Sequence, residues 1–232
     1  MPVYYGFDTT YLIFVLPAII FSLWAQIKVT SAFKKYSSVP SDGGMTGADA
    51  ARLVLSQNGV TNVSIVPVSG NLTDHFDPGS NVIRLSETVY DARTASAVGV
   101  AAHEAGHAVQ YAREYSPMKL RAAIIPVTKI GSTLAFPLVL IGILVSFLRP
   151  LAYIGVILFA ASVLFQLVTL PVEFNASRRA VEALSSSGRC TDDGIKAAKK
   201  VLSAAAMTYV AALFVALGNM IRLIIIVSGK RK

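Results

Sequence analysis

Three residues within five positions carry the chemistry of this sequence: His103, Glu104 and His107, in the run His103-Glu104-Ala105-Gly106-His107. In a helix, positions i and i+4 share a face about one turn apart, so the two imidazoles can present nitrogens to one metal ion. Glu104, directly after the first imidazole, falls beside the open position of that metal. A carboxylate there takes a proton from bound water and passes it to a leaving amine. The spacing therefore predicts peptide-bond hydrolysis with Zn2+ as cofactor. The five-residue pattern also arises by chance, so its surroundings matter. Ala101, Ala102 and Ala108 would let the helix pack closely, and Ala105 and Gly106 are expected to leave space around the metal.

A catalytic zinc takes three protein ligands and a water, and the chain holds 3 histidines in all. Two candidates compete for the third ligand. Glu173 follows Pro171 at the end of an apolar run and is expected to open a helix from Glu173 to Ala180. A carboxylate at a membrane boundary is costly unless it is paired, coordinating or facing water. Metal ligation gives Glu173 a reason to be there, whereas an ion pair with Arg178 or Arg179 and a solvated helix start are the competing accounts. Asn175 or Ser177 on the same helix would orient a ligand. His75 lies between Asp74 and Asp77, either of which would hold its imidazole. It is read as a donor to the oxyanion of the attacked carbonyl, as the third ligand itself, or as part of an Asx-type turn. Cys190 is the only cysteine, so no disulfide framework or Cys-based zinc cluster forms within one chain.

The elements that must position these residues are dominated by apolar helices. Of 232 residues, 54% are hydrophobic and 15% charged, a balance that points to a membrane protein. Thr10 to Val29, Ile130 to Leu148 and Leu151 to Leu170 each approach the ~20 apolar residues needed to cross a bilayer. A fourth stretch, Ala204 to Val227, is long enough but carries Asn219 and Arg222, so it spans, tilts or lies in the interface. The fold class expected is a mainly α membrane protein, with three to four transmembrane helices and a small α+β zincin-like domain between spans one and two. Met1 to Thr10 contains Asp8 and no Lys or Arg, which fits an uncleaved anchor. The expected division is an anchor over 1–29, a catalytic domain over 30–129, a transmembrane hairpin over 130–170, a cytoplasmic helical segment with the third ligand over 171–203, and a last helix with basic tail over 204–232.

The net charge of +8 does not form a basic stripe with interleaved aromatics, so nucleic acid is not an expected partner. Membrane topology accounts for it better. Ten Lys and Arg lie from Lys28 to Lys129, six from Arg178 to Lys200, and only Arg149 between spans two and three. The positive-inside rule then places both large loops, and the site, in the cytoplasm. With a fourth crossing the tail Lys230-Arg231-Lys232 emerges on the outside, against the rule. The expected location is the cell membrane, as a multi-pass protein, with the bilayer and a peptide or protein substrate as partners.

Inside the first loop, Thr46 can cap a helix through Asn58, with Gly59 at its C′ position. Asn62 to Val68 and Val82 to Leu85 read as short strands around a turn at Ser69-Gly70-Asn71. Thr94 to Glu114 is an alanine-dense helix that contains the metal-binding pattern.

Four runs make the sequence resemble the YugP-like neutral zinc metallopeptidases of bacterial membranes: LTDHFDP at Leu72 to Pro78, VIRLS at Val82 to Ser86, AVGVAAHEAGHAVQ at Ala97 to Gln110, and TLPVEFNASRRA at Thr169 to Ala180. The resemblance implies a membrane-bound zinc peptidase, with His103 and His107 as ligands, Glu104 as catalytic base and Glu173 as third ligand. It implies no substrate, and endopeptidase action is expected over exopeptidase action. The layout also looks like that of larger membrane-embedded gluzincins related to HtpX and the CAAX prenyl proteases. Those usually add an Asp four residues after the Glu, where this chain has Ser177. Two other readings compete. A site-2-type intramembrane protease needs an NPDG-like or LDG motif, and neither occurs. A non-catalytic zinc-stabilised scaffold normally needs a fourth protein ligand.

Overall fold

The computed structural model describes residues 9–229. Most of the uncleaved-anchor signal in Met1 to Thr10, and the tail Lys230 to Lys232, lie outside them. A π-helical stretch Tyr11–Val15 runs into α1 (Leu16–Tyr36), followed by α2 (Gly47–Gln57), β1 (Ser64–Val68), β2 (His75–Asp77), β3 (Val82–Ser86), α3 (Glu87–Tyr90) and α4 (Ala95–Ala112). Then come α5 (Ser116–Leu144), α6 (Arg149–Ser186) and α7 (Asp192–Ser228). The chain divides into two compact units. One comprises Met1–Ala25, Leu120–Thr169 and Thr208–Lys232, the other Gln26–Lys119 and Leu170–Met207.

The first unit is helical. Four helical stretches, Tyr11–Tyr36, Ser116–Leu144, Ser146–Ser186 and Asp192–Ser228, are long and apolar enough to cross a membrane, and the protein is a mainly α membrane protein with a small α+β domain. The fourth stretch meets that criterion despite its two polar residues. Asn219 returns its amide to the Val215 carbonyl at 2.9 Å, and the Arg222 guanidinium sits 5.6 Å over the Tyr11 ring. Small residues bring helices together, as membrane packing favours: a Cβ on Gly155 would lie 2.6 Å from the Ala135 carbonyl oxygen.

The second unit holds a three-stranded sheet in the order β1-β3-β2, with β3 parallel to β1 and antiparallel to β2. Ile83 and Leu85 of β3 are fully buried while Arg84 between them faces away, as a period of two requires. They join a core with Val54 and Leu55 of α2, Val89 of α3, and Ala97, Ala101, Ala105 and Ala108 of α4. The alanines recur every three or four residues, so one face of α4 is smooth enough for close neighbours. Thr46 caps α2 as its type predicts: its hydroxyl accepts from the Asp49 amide at 3.0 Å and its own amide donates back to the Asp49 carboxylate at 3.1 Å. Gly59 follows with φ +68°, the left-handed conformation that ends a helix. Thr94 caps α4, accepting from the Ala97 amide at 3.3 Å.

Two local expectations change. Asn62 to Val68 contains β1, but the sheet has a further strand, β2, in a segment read as loop. Glu173 also does not begin a helix. It lies well inside α6, whose 38 residues continue through Pro171. Proline removes one amide donor, and a helix this long, about 57 Å at 1.5 Å per residue, keeps its remaining hydrogen bonds on either side of the ring.

Candidate metal centre

Helix α4 carries the pattern and α6 meets it through a backbone contact. A Cβ on Gly106 would lie 2.5 Å from the Ala176 carbonyl oxygen. The missing side chain of Gly106 is therefore filled by the backbone of α6, and Ala105 is fully buried in the core. Neither leaves space around a metal as expected. What the small residues allow is the close approach that brings Glu173 of α6 to the two histidines.

His103, His107 and Glu173 each offer a ligand atom, and these atoms lie within 4.8 Å of one another. His103 Nε2 is 3.2 Å and His107 Nε2 3.5 Å from the same Glu173 oxygen, Oε2. Ligands bound tetrahedrally at zinc distances of about 2.0–2.1 Å are separated by roughly 3.3 Å. The donor set thus fits zinc in ligand type and in spacing. The imidazole rings stand nearly perpendicular, at 81° with centroids 4.7 Å apart, and their side chains are 14% and 12% exposed. Glu173 itself is buried.

Glu104 lies beside this cluster, and the Phe76 backbone N–H donates to its Oε2 at 3.0 Å. Loss of solvation raises its pKa above the ordinary carboxylate value, with Glu173 and Asp74 adding to the rise and the two histidines opposing it. Burial works against the imidazolium form of His107. The hydrogen bond that the imidazolium donates to Glu173 and the charge of Glu104 outweigh it, so the His107 pKa is raised.

The far sides of both rings are also engaged. Ser177 Oγ lies 3.0 Å from His103 Nδ1, and Gln110 Oε1 lies 3.0 Å from His107 Nδ1. Gln110 Nε2 donates to the Val172 carbonyl at 2.8 Å and to Asn175 Oδ1 at 3.0 Å. Ser177 and Asn175 were singled out from the sequence; Gln110 was not. The available signal was its place three residues after His107, which puts both on one helical face.

His75 is placed apart from that cluster. It is exposed, and its Nδ1 donates to the Thr73 carbonyl at 2.7 Å. Neither neighbouring acid holds the ring. The Asp74 carboxylate accepts from the Ser86 amide at 2.7 Å and from its hydroxyl. Asp77 accepts from the Gly79 amide, the Ser80 hydroxyl and Arg84, so the Asx-type turn is built on Asp77. Alternation along β2 explains the split, with Phe76 buried towards the core and His75 on the other face.

Residues 11–228 match the family described as "Putative neutral zinc metallopeptidase". The chain belongs to that family. It is similar to "Putative membrane protease YugP" of Bacillus subtilis (strain 168), 49% identical over 205 residues that cover 88% of this chain and 91% of the relative. No solved structure matches it.

Proposed function

We propose that the chain is a membrane-anchored zinc metallopeptidase that cleaves internal peptide bonds, with His103, His107 and Glu173 as metal ligands and Glu104 as general base. The observation that carries this reading is the convergence of both Nε2 atoms on Glu173 Oε2, at 3.2 and 3.5 Å, with Glu104 alongside. A zinc ion held there supplies a Lewis acid that lowers the pKa of a water and polarises the scissile carbonyl. Three protein ligands suit a catalytic site better than a structural one, which is normally closed by a fourth.

Glu104 takes the proton from the attacking water and returns it to the leaving amine. Its raised pKa suits a carboxylate that must accept a proton, and the Phe76 N–H fixes where its oxygens point. β2 is an edge strand of the sheet, paired only with β3, and the Phe76 N–H is turned away from β3 towards Glu104. An extended peptide added along that edge would present an internal bond to the base, which supports endopeptidase action. His75, one residue before the amide that binds Glu104, is the proposed donor to the oxyanion, through the ring edge that Thr73 leaves open. The Lys and Arg distribution supports a cytoplasmic site. Protease digestion of the Gln26–Lys119 segment in inverted vesicles but not in intact cells would agree with that side, and the reverse pattern would exclude it.

The test of the mechanism is Glu104→Gln, purified in detergent beside wild type. Cleavage of a peptide mixture is expected to fall by about 10²–10⁴-fold while stoichiometric zinc is kept. Cleavage at the wild-type rate would refute the assignment.

A further inference from the structure

Gln110 is a fully buried polar residue on α4 whose amide can stand only one way round. The Val172 carbonyl accepts and cannot donate, so the amide nitrogen must face it, at 2.8 Å. The second N–H goes to Asn175 Oδ1 at 3.0 Å. That oxygen is identified independently by Arg179, whose guanidinium only donates and whose Nε reaches it at 2.8 Å. With both N–H groups committed, it is the oxygen of Gln110 that meets His107 Nδ1 at 3.0 Å. An amide oxygen only accepts, so the partner nitrogen must carry the proton. His107 Nδ1 therefore carries a proton, and Nε2, on the side of the Glu173 carboxylate, is the nitrogen left for a metal held between them. His103 is treated differently. Its Nδ1 meets the Ser177 hydroxyl, which donates or accepts equally well and imposes no tautomer.

We propose that Gln110 is a positioning residue that locks His107 in the Nδ1–H tautomer, and that Val172, Asn175 and Arg179 of α6 hold the Gln110 amide in the orientation that does so. The helix that supplies Glu173 thus also sets the state in which a histidine of the other helix meets it. No carboxylate is spent on this task. A neutral amide fixes the ring without adding a negative charge next to Glu104 and Glu173, which already share the site. The tautomer and its consequence for metal affinity rest on the metal centre proposed above; the orientation of the Gln110 amide does not.

The test uses full-length protein with 15N-labelled histidine in detergent, loaded with zinc so that the metal rather than a proton lies between His107 Nε2 and Glu173. Wild type is expected to show His107 protonated at Nδ1 alone. Gln110→Leu, close in size but without polar atoms, is expected to show a mixture of tautomers and a zinc affinity weaker by about 10–100-fold in chelator competition. Gln110→Glu separates positioning from simple bridging. It keeps an acceptor for Nδ1–H but loses both donor bonds to α6, so the tautomer is expected to return. If Glu disturbed the tautomer as much as Leu, or if Leu left it unchanged, the inference would be overturned. Should Gln110→Leu fail to fold, Asn175→Ala removes one of the two anchors of the amide. It is expected to give a smaller admixture of the second tautomer, and an unaltered spectrum would count against the relay. A wild type that took up no zinc would sink the metal centre and this role with it, whereas zinc uptake with no difference between wild type and Gln110→Leu would sink the positioning role alone.

Discussion

The two compact units of the chain use one packing device to different ends. In the first, the glycine at 155 lets a carbonyl of a neighbouring helix approach, and in the second Gly106 does the same. What surrounds each contact differs. Among the described residues, the buried side-chain polar atoms without a partner are Ser162 Oγ and Thr169 Oγ1, both in the first unit. The second unit buries Gln110, Asn175, Ser86 and Glu173, and each has a named partner. A buried carboxylate left unpaired costs far more than a neutral hydroxyl. A region that must hold side chains to within tenths of an ångström accordingly satisfies them all, and one that needs only helices in contact does not.

The largest expected break of this contrast is Glu173→Ala, which removes a proposed ligand. Stoichiometric zinc in metal analysis should be lost, whereas His75→Ala should retain it and lower kcat by roughly 10²-fold, the modest end for one oxyanion donor. Retained zinc in the first variant, or lost zinc in the second, would reassign the ligand set. Next comes a matched pair. Gly106→Ala and Gly155→Ala both push a Cβ into a backbone oxygen, and each should cost about 1–3 kcal/mol in thermal or denaturant unfolding. Only Gly106→Ala should also weaken zinc binding, by about tenfold or more on the scale of other disturbances to ligand orientation. Equal zinc affinities in the pair would mean that the approach of α6 to α4 does not set the ligand geometry. The smallest effect belongs to Thr169→Val. Because the hydroxyl has no partner, its removal should change stability by no more than about 0.5 kcal/mol or raise it slightly. A loss well above 1 kcal/mol would show that the hydroxyl is satisfied after all.

Local chemistry was legible from the sequence. The Thr46 cap, the Gly59 stop and the alanine-dense helix from Thr94 depend on residues within one or two turns, and they stand where expected. The apolar helices were legible for the same reason, since crossing length is a property of the segment alone. β2 was not: His75-Phe76-Asp77 is too short to display a period of two and is a strand only because Ile83 and Arg84 lie opposite. The continuity of α6 through Pro171 was hidden because proline is a local stop signal that helix neighbours override. Gln110 was missed because its partners lie 62 and 65 positions away on α6, and only the meeting of two helices creates them. The reading of Gly106 failed in the same way. The sequence shows that space exists there and not what fills it.

That residue also changes how the five-residue pattern should be used. Written as a search string, the pattern leaves its third and fourth letters open, as though any amino acid served. In this fold the fourth letter is an interhelical joint, and a side chain of even one carbon collides with a main-chain oxygen. A redesign that kept both histidines and the glutamate but chose the fourth letter for helix propensity alone would favour alanine there. It would preserve every letter the string records and lose the seating of the helix that supplies the proposed third ligand.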